Sequence, residues 1–246
     1  MTLLNLQGIN KSFGALKVLS DIDLTVSEGQ IMSVIGPNGA GKTTLFNVIT
    51  GYLPPDSGKV EFENRNITGL KPFRITQAGL ARSFQITNIF ARLTVWENIA
   101  LAAQTVSKKR TSFLSRATSQ GTINQKIEKI LDEVGLSAWT GQPAGTLSHG
   151  DQRHLEIGMT LATSPRLLML DEPTSGMSPA ESASTMDLIK NLKKQVTILV
   201  IEHDMDLVMN LSDHIAVLDF GQKIAEGSPQ AIAQNAEVRR VYLGEA

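Results

Sequence analysis

Gly36-Pro37-Asn38-Gly39-Ala40-Gly41-Lys42-Thr43 spells G-x-x-x-x-G-K-[ST], a spacing suited to gripping a polyphosphate. Glycines let the backbone curl until successive N–H groups converge on one anion. A helix starting at the lysine would point its positive end the same way. Lys42 can then reach the terminal phosphates, and the Thr43 hydroxyl is a hard ligand for Mg²⁺, with Thr44 closing the loop. Further on, Leu167-Leu168-Met169-Leu170-Asp171-Glu172 delivers two adjacent carboxylates at the end of an apolar run. Asp171 suits the metal shell, and Glu172 suits a general base that polarises a water. An acidic pair after an apolar run is often only structural. Downstream of a phosphate loop, the expected chemistry is that of a P-loop nucleotidase, and the choice of ATP with Mg²⁺ waits on further motifs.

Such a loop needs a strand before it and a helix after it, and the pattern supplies both. Ile31 to Ile35 is a short apolar run ending at Gly36, and a helix is expected from Lys42 to Thr50. Ile22 to Val26 and Lys59 to Glu63 alternate as strands, the second after the turn residues Leu53 to Gly58. The middle is helical. Thr94 and Glu97 form a capping box opening a helix through Ala103, and Gln104 to Gly121 reads as a polar loop or short surface helix. Thr122 and Gln125 form a second capping-box pattern, after which Ile123, Ile127, Ile130, Leu131 and Val134 share a helical face. Apolar runs at 167–170, 196–201 and 214–218 are buried strands of a parallel sheet, separated by helices at 179–194 and near 205–211. The expectation is an α/β core from 1–86 and 151–246, with a helical subdomain at 87–150.

Composition removes other chemistries. The 246 residues carry 23 Lys plus Arg against 24 Asp plus Glu, so no basic face for nucleic acid is expected. Cysteine is absent, which excludes disulfides, thiolate metal sites and Cys nucleophiles. No apolar run approaches the roughly 20 residues of a bilayer span, and Met1 to Asn5 lacks a secretion-signal pattern. A cytoplasmic protein that reaches any membrane through a partner is expected.

Leu147-Ser148-His149-Gly150-Asp151-Gln152 resembles the L-S-G-G-Q signature of ATP-binding cassette (ABC) ATPases, and the motif order along the chain is similar to that family's. The resemblance implies a P-loop NTPase fold of the ABC type: a mainly parallel sheet, an N-terminal antiparallel β part and an inserted helical subdomain. It also implies a site shared between two subunits, in which Ser148 and Gly150 contact the γ-phosphate held by the other. His149 stands for a glycine and Asp151 for the glutamine, while the glycine needing close backbone approach is present. By the same resemblance Phe13 stacks on adenine, although an isolated Phe in a strand packs into a core as readily. Gln85 senses Mg²⁺ and links the subdomains, and His203 contacts the γ-phosphate. His154 and His214 are expected to be structural. Ser175-Gly176-Met177-Ser178 takes the D-loop place at the dimer interface.

Ile67-Thr68-Gly69-Leu70-Lys71-Pro72, Gly79 to Gln85, Ile201 to Met205 and Val241-Tyr242-Leu243-Gly244 are similar to the branched-chain amino acid uptake ATPases of bacteria. The partners so implied are transmembrane permease subunits and a second ABC ATPase subunit, the same or homologous. The chain would lie on the inner face of the cell membrane without touching cargo. The Arg239 to Glu245 ending also resembles the lipopolysaccharide-export ATPase. DNA-repair and chromosome-organising ABC ATPases insert long coiled coils or zinc modules, which the compact interval here does not match. Translation-factor ATPases carry two cassettes, and a P-loop kinase would have no use for Ser148 to Gly150 with His203.

Overall fold

The computed structural model describes residues 1–83, 89–105 and 116–243. Two sheets carry the fold. β1 (Thr2–Phe13), β2 (Leu16–Ser27), β4 (Ser57–Phe62) and β5 (Arg65–Asn66) form an antiparallel sheet in the order β2-β1-β4-β5. β3 (Ile31–Ile35), β6 (Leu80–Arg82), β7 (Leu167–Asp171), β8 (Thr197–Ile201), β9 (His214–Asp219) and β10 (Gln222–Gly227) form the other, in the order β10-β9-β3-β8-β7-β6. All its pairings are parallel except that of β10 with β9. The expected fold class, a mainly parallel core with an antiparallel N-terminal part, is the one observed.

The central strands are apolar throughout because both faces are covered. Side chains alternate faces along each strand, so Met32, Val34, Leu167, Met169, Leu199 and Ile201 meet the antiparallel sheet and α1 (Lys42–Ile49) on one side. Ile31, Leu168, Leu170, Ile198 and Val200 face the opposite way, onto the helical layer. Phe46 of α1 is wholly enclosed between the sheets, where a side chain of its size is worth about 3–5 kcal/mol.

The helical layer comprises α3 (Val95–Thr105), α4 (Arg116–Glu133), α5 (His149–Ala162) and α6 (Pro179–Leu192), around Ile99, Ile130, Val134, Leu155 and Ile189. The Thr94 box is present: its N–H and hydroxyl donate to Glu97 at 2.8 and 2.9 Å, and its oxygen accepts from the Glu97 N–H at 3.1 Å. The Thr122 and Gln125 pattern does not start a helix, because α4 already runs through it from Arg116. A helix begun six residues earlier leaves no bare first-turn N–H groups at 122 for a cap to satisfy. α2 (Pro72–Ala78) precedes β6, while α7 (Met205–Leu211), α8 (Pro229–Gln234) and α9 (Ala236–Leu243) close the β9 end around Val208, Ile232 and Val238.

Candidate active site

Neighbouring strands β3, β8 and β7 end side by side, which brings together the loops at Gly36, at His203 and at Asp171 to Glu172. Ligands of open parallel sheets bind at such carboxyl ends. The sequence interval between the loops is long, but the sheet order removes it.

The phosphate loop is held from behind. A Cβ on Gly36 would stand 2.2 Å from the Leu218 carbonyl oxygen, so only glycine lets β3 turn there against β9. Gly41 has φ +100°, and its Cβ position lies 2.8 Å from the Val18 carbonyl oxygen. The Gly221 N–H bonds the Ala40 carbonyl at 3.1 Å, completing the support. Asn38, Gly39 and Thr43 are exposed, Pro37 and Thr44 half-buried, and Lys42 is buried. The Lys42 ammonium donates to the carbonyls of Gly36 at 2.6 Å and Pro37 at 3.0 Å, folding back over the loop. Burial pushes its pKa below the usual lysine value, against the opposing pull of the Glu172, Asp171 and Glu202 charges. That pull places the acidic loops within electrostatic reach of the phosphate loop.

Asp171 is buried and paired with Arg82 of β6 at 2.5 Å. Arg82 also donates to Asn47 of α1 at 2.7 Å and lies 5.5 Å from the Phe46 ring. Glu172 is partly exposed, and its backbone is left-handed at φ 44°. Such a conformation costs a side-chain-bearing residue about 1–2 kcal/mol, and it is fixed here by the bond from the Glu172 N–H to the Ile201 carbonyl at 3.0 Å. Strain of this kind concentrates at working sites. His203 Nδ1 lies 3.8 Å from Glu172 Oε1 and 3.7 Å from Glu202 Oε2.

Ser148 caps α5: its hydroxyl accepts from the Asp151 N–H at 3.1 Å and donates to the Asp151 carboxylate at 2.8 Å. The Gly150 N–H donates to Glu181 Oε1 at 3.1 Å, and His149 Nε2 stands 3.4 Å from the Ser175 carbonyl. The 148–150 and 175–178 loops are therefore joined within one chain.

This combination has a match. The ABC transporter family covers residues 19–175, well over half of the chain. The chain belongs to the ABC transporter family. As a member, it is a nucleotide-binding ATPase of a transporter. Its last segment, residues 222–246, matches the family of branched-chain amino acid ATP-binding cassette transporters. Among relatives, the high-affinity branched-chain amino acid transport ATP-binding protein BraF of Pseudomonas aeruginosa is 39% identical, covering 99% of this chain and 98% of its own. The high-affinity branched-chain amino acid transport ATP-binding protein LivG of Escherichia coli is 38% identical, covering 99% of this chain and 98% of its own. A solved ATP-binding cassette of an ABC transporter in its ADP conformation superposes with TM-score 0.87 at 35% identity, covering 100% of both chains.

Within this cassette, Phe13 ends β1 half-exposed, with Lys11 Nζ 5.8 Å from its ring centroid, so the ring is not a core residue. Gln85 lies outside the described residues. His154 is buried against Thr185, its pKa lowered by desolvation, and His214 pairs with Glu226 at 3.2 Å. Sequence reasoning missed Arg82, Arg153 and Glu202. Arg153 of α5 donates to the Asp171 carbonyl at 2.7 Å and to Glu156 at 2.5 Å, so the helix is tied to the strand end. Charged residues beside a recognised motif were the available signal, but burial is what separates them from surface charges. Among the described residues no helix is long and apolar enough to cross a membrane.

Proposed function

We propose that this cassette hydrolyses ATP at a site shared between two cassettes and drives the permease of an importer for branched-chain or related amino acids. The carrying observation is the convergence of Lys42, Asp171, Glu172 and His203 at the ends of three adjacent strands. The cargo class is supported by full-length likeness to the BraF and LivG relatives and by the match over residues 222–246.

Phe13 takes the adenine, the N–H groups of 36–44 take the phosphates, and Lys42 swings from its own loop carbonyls to the terminal ones. Thr43 and Asp171 offer hard oxygen donors that fit Mg²⁺, and the family resemblance assigns Gln85 to the same ion. Bound Mg²⁺ would neutralise charge on the β- and γ-phosphates. Glu172 accepts the proton of a water whose oxygen attacks the γ-phosphorus, while the bond to the bridging oxygen breaks and its electrons leave with ADP. His203 holds the γ-phosphate. Ser148 and Gly150 of a second cassette reach the same phosphate, so its release reopens the pair.

The core segments 1–86 and 151–246 would carry the chemistry, and 87–150 would serve as a helical arm. A groove of about 360 Å³ between them, lined by Tyr52, Phe90, Leu101 and Met159, is the place for a permease helix. The cassette would then sit at the inner membrane face without contact to cargo or nucleic acid. The test is Glu172→Gln in the assembled transporter: ATP binding persists, turnover is abolished and the ATP-closed dimer accumulates. Near-normal ATPase activity would remove Glu172 from its role. Uptake of radiolabelled leucine into proteoliposomes checks the cargo class.

A further inference from the structure

Of the buried carboxylates without a hydrolytic role, Glu156 is paired with Arg153, whereas Glu202 has no Lys or Arg at bonding distance among the described residues and lies beside the catalytic turns. Glu202, between β8 and His203, has a side chain only 1% exposed. An ionised carboxylate is costly to enclose unless donors surround it. Donors do. Thr174 gives Glu202 Oε1 both its hydroxyl at 2.6 Å and its N–H at 3.2 Å, and the His203 N–H reaches Oε2 at 3.2 Å.

These bonds join two separate loops. Thr174 lies in the turn that begins at left-handed Glu172 and closes through the Ser175 N–H to the Glu172 carbonyl at 3.2 Å. His203 heads the turn after the neighbouring strand. Glu172 and His203 face each other at 3.8 Å across these turns, and each is more exposed than the carboxylate beneath them.

We propose that Glu202 is a positioning residue that fastens the Glu172 turn to the His203 turn, so that base and imidazole are presented to nucleotide as one body. The proposal rests on the hydrolytic reading of Glu172 and His203. It has an asymmetric consequence. A glutamine at 202 must turn its carbonyl oxygen to Thr174, which donates twice, and its amide then meets the His203 N–H donor to donor. Glu202→Gln therefore frees the His203 turn while keeping the Thr174 turn. Glu202→Asp keeps charge and both acceptors on a shorter stem. Thr174→Val removes one donor on the opposite side.

The experiment measures kcat, KM, ATP affinity and thermal midpoint in the assembled transporter. Glu202→Gln lowers kcat by about 10- to 100-fold, as loss of a supporting hydrogen bond behind a working group does, with ATP affinity nearly unchanged. Glu202→Asp restores most of the loss, and Thr174→Val gives a partial one. The Gln and Val changes together are no worse than Gln alone. A kcat for Glu202→Gln close to the parent's overturns the proposal. So does a loss that follows the fall in thermal midpoint and is not restored by Asp. Should Glu202→Gln not fold, Thr174→Val decides: reduced kcat at unchanged ATP affinity supports the tie, and unchanged kcat overturns it. Glu172→Gln run alongside separates the two readings. If it stays active the base assignment falls, and if it is dead while Glu202→Gln is normal only the tie falls.

Discussion

The Ser148 hydroxyl and the Asp151 carboxylate are 2.8 Å apart at the first turn of α5, with a return bond from the Asp151 N–H to the same hydroxyl. The hydroxyl proposed to meet a partner's γ-phosphate is thus already engaged by an anion. The Gly150 N–H is engaged likewise, by Glu181. In the single chain the helix end is satisfied from within. A triphosphate arriving from a second cassette must compete for those donors.

Asp151→Asn tests that competition. The amide keeps an acceptor for the Ser148 hydroxyl but removes a charge that favours a helix N-terminus and repels phosphate. Two opposite shifts are expected: a loss of helix-end stability of about 0.3–1 kcal/mol, and ATP-driven dimerisation that is about 2- to 10-fold tighter. Thermal unfolding reads the first, and sedentation-based dimer titration in a Glu172→Gln background reads the second.

Arg82 and Asp171 form a pair with side chains only 8% and 2% exposed. Removing one member of such a pair strands the other, so Arg82→Met should destabilise the apo protein by about 3–5 kcal/mol in urea unfolding. Adding Asp171→Asn to it recovers part of that loss, because the buried charge disappears with its partner. Mg·ADP should rescue the single variant more than the double one.

Phe13 is half-exposed at the end of β1, poised for a planar ligand rather than for a core. Base–aromatic stacking is worth about 1–3 kcal/mol, so Phe13→Ala should weaken ATP binding by about 5- to 150-fold. Phe13→Trp keeps a stacking face and should retain affinity. Calorimetric titration of the Mg·ATP complex measures both.

Glu181 sets a pH dependence. The Ser178 hydroxyl foremost, then the N–H groups of Ser178 and Gly150, hold its carboxyl below the usual 4.5. A lowered folded value means its contribution is complete above 4.5 and fades as pH falls through the folded value. Glu181→Gln should therefore be less stable than the parent at neutral pH. Its thermal midpoint should also fall less between pH 4.5 and more acidic solutions, as a calorimetric pH series would record.

How much was legible follows from the range of each signal. Period-two alternation and apolar runs place β3, β7, β8 and β9 to within about a residue or two. The glycine spacing at 36–41 is a local code, so the phosphate loop reads directly. The Arg82–Asp171 pair spans 89 residues, and no local pattern announces it. Glu202 looks like any strand-end acid until the fold encloses it, and only the resemblance drew attention to its neighbour His203. Thr122 and Gln125 fit a cap rule that considers four residues, yet the turn before them is already helical.

The hold of Arg153 on the Asp171 carbonyl, 2.7 Å long and sealed from solvent, makes α5 and β7 a single lever. Pushing on the Ser148 end of that lever must either carry the neighbouring strand tip along or rupture an enclosed bond. Were a second cassette to dock at Ser148 as proposed, this buried bond would pass the load to the backbone at Asp171 through solid contact.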